Sequence, residues 1–258
     1  MEQFSSLLFI VALIGFLVFV ALYHVDAGYG KMRSEKWGPA INNKIGWMLM
    51  ECPVFFVMLF MWGSSELHFT LPYLVFFLLF ELHYFQRSFV FPLLMKGNSK
   101  MPLVIMALSI VFNLTNGYIQ GYWLFVRAAE EPMYQELYTS AWLTDWRFIL
   151  GTLMFLCGMG INIHSDYIIR HLRKPGDSKH YLPKGGMYNY VTSANYFGEI
   201  LEWAGWAVLT WSWAGFVFFW FTCANLVPRA NSIWHKYAAE FPEEFPGRNL
   251  KRVVPFIY

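Results

Sequence analysis

The 258-residue chain is 57% hydrophobic and 21% aromatic, while only 14% of its residues are charged. Soluble domains carry about 25% charged residues, and a soluble fold of this length needs more polar surface than these residues supply. The composition therefore excludes disorder, a disulfide-linked scaffold and most classes of soluble enzyme. The net charge of +2 is too small to indicate a nucleic-acid partner. We predict an all-α, polytopic membrane protein that binds no nucleic acid.

Apolar segments long enough to cross a bilayer, which takes roughly 20 residues of helix, recur along the chain. The first, residues 4–23, is uncharged and lacks the basic flank and cleavage site of a signal peptide, so we interpret it as a retained span. The last, residues 196–227, is too long for one helix, and Trp211–Gly215 near its middle predicts a turn between two spans. The sequence thus predicts one seven-helix domain over residues 1–258, with intermediate spans at about residues 45–62, 71–85, 103–125 and 148–169.

The basic residues lie almost entirely on one side of these spans. Of the 19 lysines and arginines, only Arg127 and Arg147 fall in loops of the other side, beside the acidic Glu130 and Glu131. Cytoplasmic loops of membrane proteins carry the excess of Lys and Arg. The distribution therefore predicts an N-terminus outside, a cytoplasmic C-terminus and an odd number of spans. The cytoplasmic set is Lys31, Arg33, Lys36, Lys44, Arg87, Lys96, Lys100, Arg170, Arg173, Lys174, Lys179, Lys184, Arg229, Lys236, Arg248, Lys251 and Arg252.

The cysteines and histidines do not form a recognisable metal or redox motif. Cys52, Cys157 and Cys223 stand far apart in apolar segments without CxxC spacing, so we predict buried, free thiols. His164 and Asp166 are close in sequence but have no third ligand at a useful spacing, and we predict no metal site. The chain also lacks the glycine-rich motifs of soluble nucleotide-binding folds.

Four glutamates lie inside apolar segments, where an ionisable group costs at least a few kcal/mol. A functional role is favoured for Glu51 and Glu199, which lie one or two helical turns inside their segments. Glu81 and Glu202 have a second interpretation, in which the carboxylate reaches the membrane interface or pairs with a neighbouring arginine.

Two predicted helix ends direct hydrogen-bonding side chains toward the cytoplasmic side. Asn162 and Asp166 are four residues apart and share one helix face. Asn195, Glu199 and Trp203 have the same spacing on the next predicted helix. These two faces therefore lead to the same polar region of the chain.

The polar stretch between these helices, residues 170–195, contains basic residues and glycines in Lys174–Gly176 and Pro183–Gly186. Such a loop suits a ligand that carries phosphates. It suits anionic lipid headgroups equally well. The spacing leaves both interpretations open.

Several longer motifs occur in order along the chain. They are Gly28–Lys31, Leu82–Phe85 with Arg87, Asn116–Gly117, Gln120–Tyr122, Gly158–Tyr167, Leu172–Gly176, Leu182–Gly186, Asn195–Trp203 and Val254–Tyr258. Together these motifs resemble the steroid 5α-reductase family, the 3-oxo-5α-steroid 4-dehydrogenases, and in particular its type-2 animal members. The resemblance covers nearly the whole chain.

The resemblance implies a seven-helix enzyme that uses NADPH to reduce the Δ4 double bond of a 3-oxo-Δ4 steroid such as testosterone or progesterone. Hydride passes to C5 of the enone, and a proton then reaches C4. An apolar steroid can enter from lipid, whereas the polyanionic cofactor must arrive from the cytoplasm, where the basic residues are predicted. We expect a monomer in a bacterial inner membrane or the endoplasmic reticulum.

The resemblance assigns catalysis to Tyr84 and Glu51. Hydride addition at C5 leaves negative charge on the C3 oxygen, which donors in a dry site stabilise. Tyr84 can donate through its phenol and Glu51 through a protonated carboxyl, whereas an interfacial aromatic role is the alternative for Tyr84. The residues that the resemblance assigns to the cofactor are Arg87, Asn162, His164, Asp166, Tyr167, Arg173, Asn195, Glu199, Trp203, His235 and Tyr237.

The chain departs from the family pattern in three places. Met50 stands where the animal enzymes have a glutamine before the glutamate of the second helix, so one polar contact to the substrate carbonyl is missing. Tyr181 stands where they have an arginine, which removes a phosphate contact. Around His235 a histidine cluster is replaced by Ile233–Tyr237.

Three other activities are compatible with a membrane protein of this kind. A reductase of another conjugated lipid, such as an enoyl thioester or a different sterol, would differ in the surroundings of Met50. A methyltransferase of the related membrane fold, using S-adenosylmethionine, would have no use for an acid at Tyr84. A transporter or channel is disfavoured because the sequence shows no internal repeat.

Overall fold

A computed structural model of the chain describes residues 2–25, 37–97, 99–173 and 179–258. The predicted basic residues Lys31, Arg33 and Lys36 lie outside these ranges, as do the motif at 28–31 and the loop at 174–176. Within the described ranges the backbone is mostly helical, with one ladder of two short strands. The all-α prediction is confirmed.

The helices follow one another with short connections. They are α1 (Glu2–His24), α2 (Asn43–Gly63), α3 (Leu71–Phe85), α4 (Phe91–Leu94), α5 (Leu103–Tyr122), α6 (Ala128–Glu130), α7 (Pro132–Leu137), α8 (Trp146–His171), α9 (Ala194–Thr210) and α10 (Trp213–Glu240). Two π-helical turns, Gln86–Val90 and Trp123–Arg127, continue α3 and α5 without a break, and 3₁₀ turns form at Ser140–Thr144, Gly186–Asn189 and Pro246–Arg248. The strands β1 (Ala40–Asn42) and β2 (Lys100–Pro102) pair antiparallel, with Ile41 opposite Met101.

Five helical segments are long and apolar enough to cross a membrane. They are Glu2–His24, Asn43–Gly63, Leu71–Leu94, Leu103–Glu130 and Trp146–His171. They coincide with the first five predicted spans, and large apolar side chains such as Phe9 and Phe60 are exposed on them, as expected of a surface that meets lipid. The helices α9 and α10 occupy the region of the last two predicted spans but are not among the five, so the count of seven spans stays a prediction.

The predicted turn near the middle of residues 196–227 is confirmed. α9 ends at Thr210, and Trp211 adopts a left-handed backbone conformation with φ of 44°. Ser212 then caps α10, because its Oγ accepts a hydrogen bond of 3.0 Å from the Gly215 amide. A side-chain cap at this point allows a new helix to begin after only two intervening residues.

The chain forms two compact units, which we call the central unit (residues 27–149) and the terminal unit (residues 1–26 and 150–258). In the central unit α2 packs closely against α5. A Cβ added to Gly117 would lie 3.2 Å from the Val54 Cα, and one added to Gly121 would lie 2.9 Å from the Met61 side chain. These glycines let the two helices approach closely, which places the polar side chains of α5 beside α2.

Aromatic rings fill one end of the central unit. Tyr73 and Phe76 of α3 contact Tyr138, with ring centroids 5.7 Å and 5.0 Å from it. The Trp123 indole nitrogen donates a hydrogen bond of 3.4 Å to the Tyr138 hydroxyl. Burial raises the pKa of Tyr138 well above its ordinary value, so this ring remains a neutral part of the packing.

In the terminal unit α8 and α9 touch through two pairs of glycines. A Cβ on Gly158 would lie 2.6 Å from the Gly198 carbonyl oxygen, and a Cβ on Gly151 would lie 2.7 Å from the Gly205 carbonyl oxygen. Within each helix the two glycines are two turns apart, and therefore lie on one face. The pairing makes α8 and α9 antiparallel and brings their backbones into direct contact.

The first and last helices of the chain also pack together in the terminal unit. The Trp220 indole nitrogen of α10 donates a hydrogen bond of 3.0 Å to the Ala12 carbonyl oxygen of α1. Such a bond gives a partner to an indole N–H that is partly buried between the two helices.

The cysteines are free, as predicted, but the prediction that they are buried is wrong. Cys157 is exposed on α8, and Cys52 and Cys223 are half-buried. An apolar segment does not distinguish the inward face of a membrane helix from its lipid-facing side, because both are apolar.

Candidate functional site

The two predicted catalytic residues are both bonded to asparagines of α5. The Asn113 amide donates to Glu51 Oε2 at 3.2 Å and to the Met50 carbonyl oxygen at 2.6 Å. One turn further along, the Asn116 amide donates to the Tyr84 hydroxyl oxygen at 3.3 Å. Because Asn113 and Asn116 are three residues apart, they share a face of α5. This face of α5 therefore contacts both Glu51 of α2 and Tyr84 of α3, at consecutive helical turns.

A third amide extends this group of side chains. Gln120 donates from Nε2 to Asn116 Oδ1 at 3.4 Å, and it is buried like Asn113, Asn116 and Tyr84. Buried polar groups are normally hydrogen-bonded, so the amides fix the orientation of the phenol and the carboxyl. The sequence contained a signal for them, because three amides at helical spacing inside an apolar span are unusual. The sequence did not indicate which side chains these amides contact.

Arg87, predicted to contact a cofactor phosphate, lies in the π-helical turn that follows α3. Its guanidinium carbon is 4.6 Å from the ring centroids of both Trp47 and Phe91, and its side chain is buried. Cation–π contacts of this kind hold an arginine in a defined place. The π-turn begins two residues after Tyr84, and such turns occur often at functional sites. Contact between Arg87 and a phosphate stays a prediction.

The terminal unit contains a second polar centre, where α8 meets the start of α9. The Asn162 amide donates to the Asn195 carbonyl oxygen at 2.9 Å, and the Asn195 amide donates to Asp166 Oδ1 at 3.3 Å. The glycine pair Gly158–Gly198 causes this meeting, since Asn162 and Asn195 lie one turn from it on either helix. Three residues assigned to the cofactor are thus brought together.

Two buried hydroxyls flank this centre. The Oγ atoms of Ser165 and Ser193 are inaccessible and have no hydrogen-bond partner among the residues that the structure describes. Ser165 directly precedes Asp166, and Ser193 lies two residues before Asn195. Buried hydroxyls without partners are uncommon, so they indicate a site where a polar ligand can bind.

Tyr188 completes the polar centre, although the sequence did not suggest it. This residue is 1% exposed, and its hydroxyl donates to Asn195 Oδ1 at 3.5 Å. Arg248 holds the loop in place by donating to the carbonyl oxygens of Tyr188, at 3.0 Å, and of Pro183, at 3.1 Å. The sequence carries no signal for this role, because Tyr188 lies in a polar loop like other tyrosines of the chain.

Burial raises the pKa of Tyr188 well above its ordinary value, and the negative charge of Asp166 raises it further. The folded protein therefore favours the neutral phenol, and this contribution to stability is present below pH about 10 and lost as the pH rises above it. We expect the stability advantage of the wild type over Tyr188→Phe to shrink by up to about 1.4 kcal/mol per pH unit above pH 10. Unfolding midpoints of both proteins in detergent, from about pH 8 to about pH 11, measure this change, and parallel curves would contradict it.

Four other residues assigned to the cofactor are exposed. They are His164 and Tyr167 on α8, Arg173 just after it, and His235 on α10. A Cβ added to Gly186 would lie 2.7 Å from the His164 ring, so this imidazole lies against the glycine loop that leads to Tyr188. The structure therefore places His164 beside the polar centre.

Trp203 and Tyr237, also assigned to the cofactor, are buried among apolar side chains. The Trp203 ring centroid is 4.2 Å from that of Phe218. Tyr237 belongs to a cluster with Leu182 and Phe245. Their contact with a cofactor stays a prediction.

The two glutamates of α9 differ in their surroundings. Glu199 is half-buried, whereas Glu202 is completely buried, with its backbone against Gly158. The interpretation that Glu202 reaches the membrane interface is therefore wrong. The glycine contact, which the apolar pattern does not reveal, draws this part of α9 onto α8.

Comparisons with known proteins find relatives over most of the chain. A family model described as "3-oxo-5-alpha-steroid 4-dehydrogenase" matches residues 99–258. Steroid 5-alpha-reductase DET2 of Gossypium hirsutum is 40% identical over 93% of this chain and 91% of its own length. The 3-oxo-5-alpha-steroid 4-dehydrogenase 2 of Sus scrofa is 40% identical over 93% of this chain and 91% of its own length. The 3-oxo-5-alpha-steroid 4-dehydrogenase 1 of Macaca fascicularis is 34% identical over 100% of this chain and 95% of its own length.

The match to the Macaca fascicularis protein covers the whole chain and therefore both units. The matched proteins are named as dehydrogenases and reductases, which makes the family one of oxidoreductases and implies a nicotinamide cofactor. The apolar helices described above agree with a membrane location. The chain therefore belongs to the 3-oxo-5-alpha-steroid 4-dehydrogenase family, the steroid 5-alpha-reductases.

Proposed function

We propose that the protein uses NADPH to reduce the Δ4 double bond of 3-oxo-Δ4 steroids, such as testosterone or progesterone, to the 5α-dihydro steroids. The observation that carries this proposal is that Tyr84 and Glu51 are hydrogen-bonded to two asparagines one turn apart on α5, among largely apolar helices. Two hydrogen-bonding groups in apolar surroundings match a ligand that is a hydrocarbon with one reactive carbonyl.

Tyr84 and Glu51 polarise the C3 carbonyl in this mechanism. Addition of hydride at C5 moves negative charge onto the C3 oxygen, and donors that are already oriented stabilise that charge best. The Tyr84 oxygen accepts from Asn116, which fixes the position of a phenol that can itself donate a hydrogen bond. Met50 contributes only its backbone carbonyl, to Asn113, so the pair acts without the glutamine that the animal enzymes have at that position.

The polar centre of the terminal unit fits a nicotinamide cofactor. NADPH supplies the hydride. The side chains of Asn195 and Asp166 suit an amide and ribose hydroxyls, and the unpartnered Ser165 and Ser193 hydroxyls offer further hydrogen bonds. Arg173, which is exposed at the end of α8, suits a phosphate, because guanidinium groups bind phosphates in a bidentate manner.

The remaining features of the proposal concern the membrane. We infer seven spans, made up of the five apolar helices together with α9 and α10, with an outside N-terminus and a cytoplasmic C-terminus. The apolar side chains exposed on the helices support entry of the steroid from lipid. A monomer suffices because one chain contains both the catalytic pair and the residues assigned to the cofactor. The host membrane is a bacterial inner membrane or the endoplasmic reticulum.

Turnover by the purified protein tests the proposal. In detergent with NADPH and testosterone or progesterone, we expect oxidation of the cofactor, followed by its absorbance, to match the formation of 5α-dihydro steroid, measured by chromatography. Asn195→Ala is expected to weaken NADPH binding about tenfold or more, since it removes hydrogen bonds to a buried carboxylate and a phenol as well as a cofactor contact.

The outcomes separate the parts of the proposal. Absence of both steroid turnover and NADPH binding would refute the reductase function. Binding of NADPH without turnover of any 3-oxo-Δ4 steroid would retain the cofactor but reject the substrate. Unchanged binding by Asn195→Ala would remove the polar centre of the terminal unit from the cofactor site.

A further inference from the structure

One buried carboxyl of the central unit has no part in the mechanism above. Glu81 lies in the C-terminal half of α3 and is 7% exposed. Neither of its carboxyl oxygens has a hydrogen-bond partner among the residues that the structure describes. The interpretation that Glu81 reaches the interface or pairs with an arginine is therefore wrong.

An unpaired carboxyl in apolar surroundings is costly. The ionised form is far too costly to bury alone, so such a group is carried as the neutral acid. A neutral carboxyl has one O–H donor as well as acceptor oxygens, and burial without partners still costs free energy. A bound molecule that supplies the partner would recover that free energy.

The position of Glu81 indicates which molecule this is. Glu81 is three residues before Tyr84, so both side chains lie on one face of α3, about 4.5 Å apart along the helix axis. Phe80, one residue before Glu81, lies one turn before Tyr84, and its ring centroid is 4.7 Å from that of Tyr84. A ligand with its carbonyl at the Tyr84 hydroxyl that extends toward the start of α3 would pass along this face and reach Glu81.

We propose that Glu81 determines substrate specificity by hydrogen-bonding an oxygen substituent of the steroid, a hydroxyl or keto group on the ring system beyond the enone ring. This inference rests on the proposed function, because it requires the enone carbonyl to be held at Tyr84. A neutral carboxyl can donate to either kind of oxygen. The protein then prefers oxygenated 3-oxo-Δ4 steroids to the parent skeleton.

A panel of steroids that differ only in this oxygen tests the inference. The parent is androst-4-en-3-one, whose one oxygen is the C3 carbonyl, and it is compared with its 11β-hydroxy, 17β-hydroxy and 17-oxo derivatives. We expect Glu81→Leu to lower kcat/KM about tenfold or more for at least one oxygenated steroid, mainly through KM, because the substrate oxygen loses its partner. We expect the parent to change by no more than about twofold, and Glu81→Gln to restore part of the loss.

The control is Leu78→Ala, a change on the same helix at a side chain that is 54% exposed. It should alter no steroid selectively. Uniform losses across the panel, or no loss with any steroid, would overturn the assignment of Glu81. If Glu81→Leu does not fold, as judged by thermal unfolding and cofactor binding, the near-isosteric Glu81→Gln decides between the same two outcomes.

The panel also separates this inference from the proposed function. Failure of the wild-type protein to reduce any member of the panel rejects the function itself. Reduction of the whole panel by the wild type, without a selective effect of Glu81 variants, rejects the inference alone.

Discussion

Replacing Tyr84 by phenylalanine is expected to lower kcat about 100- to 1000-fold, the usual effect of removing one donor that stabilises developing negative charge. The change deletes a single oxygen, so the packing of the ring against Phe80 is retained. Asn116 loses its acceptor but remains bonded to Gln120. Steady-state reduction of testosterone, measured as product formation, gives kcat, and titration of the protein with NADPH checks that cofactor affinity is unchanged.

The matched control is Tyr73→Phe. Tyr73 is a second buried tyrosine of α3, but it lies in the aromatic cluster with Tyr138, away from the asparagines of α5. Deleting its hydroxyl should leave kcat within about twofold of wild type, since no developing charge is near it. Equal effects of the two substitutions would show that Tyr84 acts through stability alone, and undiminished turnover by Tyr84→Phe would remove it from catalysis.

The second large effect is expected for Gly158→Ala. The added Cβ would lie 2.6 Å from the Gly198 carbonyl oxygen and closer still to the Glu202 amide nitrogen. Both neighbours are backbone atoms, so α8 and α9 must separate. We expect the unfolding free energy to fall by about 3 kcal/mol, the upper end of overpacking costs. NADPH binding should weaken as well, because the bond between Asn162 and Asn195 depends on this contact.

Gly160→Ala is the control for this prediction. Gly160 lies on the same helix, two residues away, and an added Cβ there meets nothing within 4 Å. Alanine favours the helix by up to about 1 kcal/mol over glycine, so this variant should be as stable as the wild type or more so. The two thermal unfolding curves in detergent provide the comparison. Similar curves for both variants would show that the close contact between α8 and α9 is absent in the folded protein.

The helices were predictable because their signal is local. Hydropathy identified residues 4–23 and the four segments after it, and the bounds of the corresponding α-helices differ from those predicted by only a few residues. The third and fourth helical segments continue beyond the predicted spans, to Leu94 and Glu130. The turn at Trp211–Ser212 was predictable for the same reason, since a single helix of the observed apolar length would exceed the bilayer. The sequence likewise indicated Glu51, Asn162 and Asp166, because polar groups in apolar segments are conspicuous.

The family resemblance assigned roles to these residues, but it did not predict which side chains they contact. That Glu51 and Tyr84 meet Asn113 and Asn116 depends on how α2, α3 and α5 pack, and the residues are far apart along the chain. Tyr188 shows the same limit, since its phenol becomes part of the polar centre only after the loop that carries it folds onto α9. No periodicity within a loop reveals such a contact.

The sequence by itself therefore determined the class of the protein, its apolar helices, the turn that separates the last two and the polar residues that those helices carry. The tertiary structure alone decided which of these residues touch. Two glycine pairs join α8 to α9, and the amides of α5 contact the Tyr84 phenol and the Glu51 carboxyl. Glu81 is buried with no hydrogen-bond partner in the part of the chain that the structure describes. The physical reason is that hydropathy is a property of each residue in its own segment. The close approach of backbones and the pairing of buried polar groups depend instead on distances between helices.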